Sequence, residues 1–183
     1  WLHTSGTNLI ASPVAEAVLF AMETAHAAGV PVSLDLNLRF EFKSPAFRKA
    51  LDYAIELSDV VMGSGTDEIP LITAPGTPEE MARRLSGGKR TVVARLGAEG
   101  SLGVSPDGSV SFAPAYKVKI VDALGAGDIY SAGFIAASLE GRGLPDCLRF
   151  ANAAAALSLR FAGGRHSPTK AEVETLLVEQ PTP

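Results

Sequence analysis

The chain has 183 residues, 46% of them hydrophobic and 20% charged, which suits a single globular domain over 1–183 and excludes a disordered chain. A net charge of −4 gives no electrostatic footing for nucleic acid or an anionic membrane surface. Cys147 is the only cysteine, so an intramolecular disulfide and a thiolate metal cluster are excluded, no apolar run reaches membrane-spanning length, and a cytoplasmic protein is expected.

Trp1-Leu2-His3-Thr4-Ser5-Gly6 reads as a core strand entering a glycine turn; with no element before it, the chain is expected to start partway through a fold. Pro13 to Ala28 has helical spacing (Val14, Val18, Leu19, Met22, Ala25) and ends at Gly29, a natural helix stop. Val32–Leu36 is a strand, followed by a polar loop through Asn37, Arg39 and Lys43, and Pro45 starts a helix ending near Leu57. Val60-Val61-Met62 is a short buried strand before the turn Gly63-Ser64-Gly65-Thr66. Thr77-Pro78-Glu79-Glu80 is a helix-start signature, with Thr as cap and Pro at the first helical position.

Thr91–Arg95 is the next strand and Gly97–Gly100 its turn. Two short strands, Ser101–Val104 and Ser109–Ala113, are joined by the hairpin signal Pro106-Asp107-Gly108. A further strand is expected over Val118–Val121, then helices over Ala126–Glu140, Pro145–Phe161 and Lys170–Leu177. Strands alternating with helices point to a mostly parallel sheet covered on both faces, a three-layer α/β/α arrangement.

Chemistry concentrates in Asp122-Ala123-Leu124-Gly125-Ala126-Gly127-Asp128. Gly125 and Gly127 permit a tight turn and leave amide N–H groups bare at a helix start, where anions bind. Asp128, in the first helical turn, would repel a bound phosphate unless it has work beside one, such as taking a proton from an attacking hydroxyl. The helix dipole favours its ionised form by about 0.3–1 kcal/mol. Ala132, Gly133, Ala136 and Ala137 let this helix pack closely on its neighbours. The same Gly-x-Gly-Asp also fits a capped helix with nothing bound. Tyr130 replaces the third glycine of a dinucleotide fingerprint, and no Gly-Lys-Ser/Thr completes a Walker loop.

On their own, Gly97 and Gly100 read as turn glycines, Asn152 as an ordinary polar contact, and Arg39 as either a solvated cation or a planar fork for a substrate carboxylate. His3, His26 and His166 lack metal-site spacing, and Cys147 sits in an apolar helical pattern that suits a buried thiol.

Asp122–Asp128 followed by Ala132-Gly133-Phe134 resembles the C-terminal signature of the PfkB/ribokinase family of carbohydrate kinases. Arg95-Leu96-Gly97-Ala98-Glu99-Gly100 resembles the family's nucleotide loop, and Asn152 in Ala151–Ala156 its late helix beside the adenine. Asp35-Leu36-Asn37-Leu38-Arg39 is similar to the Asp-x-Asn-x-Arg segment of the branch acting on 2-keto-3-deoxygluconate and related sugar acids. The resemblance covers essentially all of this chain but only the later part of the family's length.

It implies a ribokinase-like fold whose first strands and lid precede Trp1, and γ-phosphoryl transfer from ATP to a hydroxyl of a sugar or sugar acid. Asp128 would be the general base, with the amides of Gly125, Ala126, Gly127 and Asp128 as an anion hole. Arg95, Gly97, Glu99, Gly100, Gly125, Gly127 and Asn152 would face the nucleotide, and Arg39 and Asp128 the substrate. Mg2+ would travel with ATP, and a monovalent cation such as K+ would lie near Asp122, the Leu124 carbonyl and the region from Ser158 to Ser167.

Ala123 departs from the family's usual threonine. Where an Asn-x-x-Glu segment should follow Met62, the nearest substitute is Ser64-x-x-Asp67. A fructokinase, ribokinase or nucleoside kinase of the same fold stays open, as does a truncated, non-catalytic nucleotide-binding module. Little or no turnover is expected from the 183 residues alone, and an incomplete sheet would expose an edge that invites self-association into a homo-oligomer.

Overall fold

In the first half of the sequence the strand segments are four or five residues long, and a helix-forming stretch separates each from the next. Such spacing denies a strand a hairpin partner and carries the chain over a helix to a parallel neighbour. The computed structural model describes residues 1–38, 44–164 and 166–181, with six strands and six α-helices among them. The chain divides into two compact units, Trp1–Arg95 with Val104–Ser109 and Leu96–Gly103 with Val110–Pro183.

In the first unit β1 (Leu2–Ser5), α1 (Val14–Ala27), β2 (Val32–Asp35), α2 (Pro45–Glu56), β3 (Val60–Ser64), α3 (Pro78–Ser86) and β4 (Thr91–Arg95) follow in order. The strands pair in parallel, Leu2 opposite Val32, Ser33 opposite Val60 and Ser64 opposite Arg95. Parallel strands buried on both faces need continuous apolar runs. Leu34, Val61, Met62, Val92 and Val93 accordingly have no exposure to solvent. Each such side chain contributes about 1.5–3 kcal/mol by leaving water.

The buried Ser33 hydroxyl answers both the Trp1 indole, which donates to it at 2.8 Å, and the His3 ring Nδ1 at 2.8 Å. The expected start of α3 is confirmed in detail: Thr77 accepts from the Glu80 amide and Glu80 accepts from the Thr77 amide. The polar loop after β2 is described only as far as Leu38; Arg39 and Lys43 lie outside the described residues.

In the second unit β5 (Gly100–Val104) and β6 (Val110–Pro114) precede α4 (Ala126–Leu139), α5 (Leu144–Ser158) and α6 (Lys170–Glu179). The predicted Pro106–Gly108 turn lies in Val104–Ser109, which belongs to the first unit, and is closed by the Ser105 amide on the Ser109 carbonyl at 2.9 Å. The small residues foreseen in α4 bring it close to α5: a Cβ on Gly133 would lie 3.0 Å from Ala154 Cβ and 3.2 Å from Ala151 Cα. Tyr130 donates to Ser101 at 2.7 Å, binding α4 to β5. Asn152, 7% exposed, donates to the carbonyls of Ala113 at 2.8 Å and Pro114 at 3.2 Å, binding α5 to the end of β6. Cys147 is buried as expected, and burial pushes its thiol pKa up.

One expected strand does not form. Val118–Val121 alternates like a strand, yet Ile120 and Val121 are exposed and the segment is irregular. The amides of Val121 and Asp122 donate instead to the Leu159 carbonyl, at 2.7 and 3.3 Å. Alternation shows which residues suit a half-buried ladder; it does not supply the ladder.

Asn152→Ala should lower stability by about 1–3 kcal/mol, because two carbonyls at the end of β6 lose their donor. The shift of the urea midpoint at unchanged slope measures it.

Candidate active site

In the second unit the segment 122–128 is shaped by one carboxylate and one glycine. Asp122 accepts from the Leu124 amide at 3.0 Å and from the Gly163 amide at 2.8 Å, folding the segment onto the turn after α5. Those amides, Leu124 first and Gly163 second, hold the Asp122 carboxyl below the usual aspartate range. Gly125 has φ +78°, and a Cβ there would lie 2.8 Å from the Gly164 carbonyl oxygen, so both conformation and space require glycine.

Helix α4 starts immediately after it. Ile129 donates to the Gly125 carbonyl at 3.0 Å, while Gly127 and Asp128 lie in the first turn, where amides have no intrahelical acceptor. Asp128 is exposed in that turn, and no described residue forms a hydrogen bond or ion pair with its carboxylate. The arrangement can receive an anion on its amides and offers an unengaged carboxylate beside it.

Gly97–Glu99 forms a single 3-10 turn ending at Gly100. Gly97 and Glu99 are exposed, and a Cβ on Gly97 would meet nothing within 4 Å. Gly100 is different: its φ is +117°, and a Cβ would be driven to 2.1 Å from the Ala113 carbonyl oxygen. It is required by packing. Asn152 belongs to the same unit, and its amide nitrogen is engaged by backbone carbonyls, the polar-contact role that its sequence position allowed.

In the first unit a second constellation stands at the carboxyl ends of the parallel strands. Arg95, last in β4, donates from both terminal nitrogens to Asp35, last in β2 (2.9 Å for Nη2 to Oδ1), and from Nη2 to Glu68 at 3.3 Å. Glu68 also accepts from the amides of Ser64 at 2.6 Å and Leu38 at 3.0 Å. Gly63 makes room, since a Cβ there would sit 2.7 Å from Leu36 Cδ1 and 3.2 Å from the Glu68 carboxylate. The proposed Ser64-x-x-Asp67 substitute forms, with Ser64 donating to Asp67 at 2.7 Å, but on the exposed side of the loop. Sequence reasoning missed Glu68 and the partnership of Asp35 with Arg95. The signal was an aspartate ending an otherwise apolar buried strand, a charge that needs a partner.

Against this geometry, a model of the pfkB family carbohydrate kinases matches residues 1–171. The chain belongs to that family. The ribokinase-like α/β class expected from the sequence is therefore borne out. A 5-dehydro-2-deoxygluconokinase of Bacillus licheniformis is 34% identical over 185 positions, covering 98% of this chain and 57% of the relative. Another, from Clostridium perfringens, is 36% identical over 84% of this chain and 47% of its own length.

Among solved structures, an E. coli protein described as a ribokinase II, in complex with ATP and Mg2+, superposes with a TM-score of 0.90 at 29% identity, over 97% of this chain and 58% of that one. A Vibrio cholerae fructokinase with fructose, ADP and calcium ion bound gives 0.85 at 28% identity, over 97% and 60%. The chain thus spans about half to three fifths of the length of these pfkB-family proteins. Among the described residues no helix is long and apolar enough to cross a membrane.

The depressed Asp122 pKa gives a pH prediction. Its stabilising contribution is complete above the unfolded-state aspartate value and is lost as pH falls through the lower folded-state value. A carbon-detected NMR titration should find the Asp122 carboxyl midpoint below the unfolded-state value, with the Gly163 amide shift following the same curve. Asp122→Asn should abolish that curve.

Proposed function

We propose that this chain is the C-terminal part of an ATP-dependent kinase for a deoxy-keto sugar acid of the 5-dehydro-2-deoxygluconate or 2-keto-3-deoxygluconate type. One observation carries the reading: in a pfkB-family chain, an exposed, unengaged Asp128 lies in the same helical turn as the amides of Gly127 and Asp128, behind the left-handed Gly125. The 5-dehydro-2-deoxygluconokinase relatives support the acid class of substrate.

In this reading Asp128 takes the proton of the substrate hydroxyl as that oxygen attacks. The amides of Gly125, Gly127 and Asp128 receive the charge on the transferred group, joined by that of Ala126 once it leaves the Ala123 carbonyl, to which it donates at 3.3 Å. The γ-phosphoryl comes from ATP, and Mg2+ arriving with it neutralises phosphate charge. Gly97, Glu99, Gly100 and Asn152 line the nucleotide side, with Gly97 leaving open space for close approach. Arg39, outside the described residues, is assigned to the substrate carboxylate. Asp122 is the candidate at a monovalent-cation site through the loop that it holds. The two units belong to one kinase domain acting in the cytoplasm.

Two measurements test this. The protein carrying this chain should phosphorylate the two sugar acids with ATP and Mg2+ in preference to fructose or ribose. Preference for the neutral sugars would move it to the fructokinase side of the family. Asp128→Asn should lower kcat by about 10²–10⁴-fold while leaving ATP affinity unchanged, as expected for loss of a positioned base; full turnover in that variant rejects the assignment.

A further inference from the structure

The nucleotide-loop resemblance that takes in Gly97–Gly100 starts at Arg95, and the natural inference is a cation for phosphate. Its geometry is otherwise. The Arg95 side chain is only 18% exposed, and its two terminal nitrogens are spent on two carboxylates, Asp35 at 6% and Glu68 at 12% side-chain exposure. A guanidinium so engaged has little charge left to offer a phosphate, and withdrawing it would leave two carboxylates facing each other out of water. Both carboxylates share a single nitrogen, Nη2, so without the arginine they would repel at close range.

What the three side chains join is informative. Asp35 and Arg95 end β2 and β4, and Glu68 leaves β3 four residues after Ser64. In parallel α/β sheets ligands lie outside the carboxyl ends of the strands, on the loops that leave them. Backbone pairing continues only one residue past the strand ends, with Leu36 donating to the Met62 carbonyl and Gly65 to the Arg95 carbonyl, both at 2.8 Å. Here Glu68 reaches back to the amide of Ser64 and across to the amide of Leu38, three residues beyond β2.

We propose that Arg95 is a positioning residue rather than a nucleotide ligand: by clamping Asp35 and Glu68 it fixes Leu36–Leu38, the first residues after β2, against Ser64–Glu68, which leave β3, and the kinase reading assigns these residues to the sugar acid. Arginine is needed for its planar fork, which serves one carboxylate with two nitrogens and still reaches a second. The inference rests on the kinase reading for which ligand those loops serve, but not for the clamp itself.

The test uses Arg95→Met, with Arg95→Lys as a milder variant that keeps the charge but not the fork. Hydrogen exchange followed by NMR should show the Leu38 and Ser64 amides losing protection in Arg95→Met, with a smaller loss in Arg95→Lys. In the kinase assay the sugar-acid KM should rise about tenfold or more with a smaller change in kcat, while calorimetric affinity for ATP with Mg2+ stays within about twofold of wild type. If Arg95→Met does not fold, Arg95→Lys alone decides by the same readouts. Unchanged protection at Leu38 and Ser64 overturns the clamp, and a tenfold loss of ATP affinity with sugar-acid KM unchanged restores the nucleotide assignment. Should the wild-type protein phosphorylate no sugar acid, the kinase reading fails separately, and amide exchange still settles the clamp.

Discussion

The constraint on which the first unit depends is that Arg95, Asp35 and Glu68 have to be satisfied together. Each is a charge held largely out of water, Asp35 and Arg95 at strand ends and Glu68 in the loop after β3, and none has a ready alternative partner. Removing one member of such a buried set typically costs about 3–5 kcal/mol, because the remainder stays charged and unpaired. Replacing the whole set by apolar groups is often neutral, so bulk stability is not its main contribution. It selects one arrangement of strand ends. The space for it comes from Gly63, where any side chain would displace either Leu36 or the Glu68 carboxylate.

The second unit reaches the same end by close approach of backbone rather than by charge. Gly125 against Gly164, Gly100 against the Ala113 carbonyl and Gly133 against Ala151 and Ala154 are contacts that a Cβ would force apart. The polar bonds then fix what the glycines allow. Tyr130 on Ser101 and Asn152 on the Ala113 and Pro114 carbonyls hold α4 and α5 to the strands, so the amides at the start of α4 are presented by a supported helix. An anion site made of backbone amides gains from rigidity, since its donors contribute most when no reorganisation precedes binding.

Most of the fold was legible because its signals are local. Thr77 and Thr169 cap their helices as capping chemistry dictates, and the apolar runs at Val32, Val60 and Thr91 give parallel strands within a residue or two of the expected bounds. The helix start at Gly125 was readable for the same reason. What was not legible depends on partners distant in sequence. Asp35 and Arg95 are 60 residues apart, and nothing in either neighbourhood names the other. Glu68 was passed over for Asp67, since spacing to Ser64 favours the latter; only the fold shows which carboxylate turns inward. Val118–Val121 failed conversely, with a strand-like pattern but the amides of Val121 and Asp122 bound to the Leu159 carbonyl.

Asp122 and Asp128 show how context gives one residue type two fates within a single segment. Asp122 precedes the turn, where the chain bends enough for its carboxylate to collect the amides of Leu124 and Gly163; its charge is consumed in shaping the loop. Asp128 follows the turn, inside the helix, where the amides ahead of it in the chain are already bound to helical carbonyls. Its carboxylate stands exposed in the first turn of α4, tied by no described partner. In the proposed reaction that leaves it open to a substrate hydroxyl, which a carboxylate already accepting fixed hydrogen bonds would not be. The two positions are not interchangeable: Asp122 is bound into the loop by two amides, whereas Asp128 is held clear of any described partner.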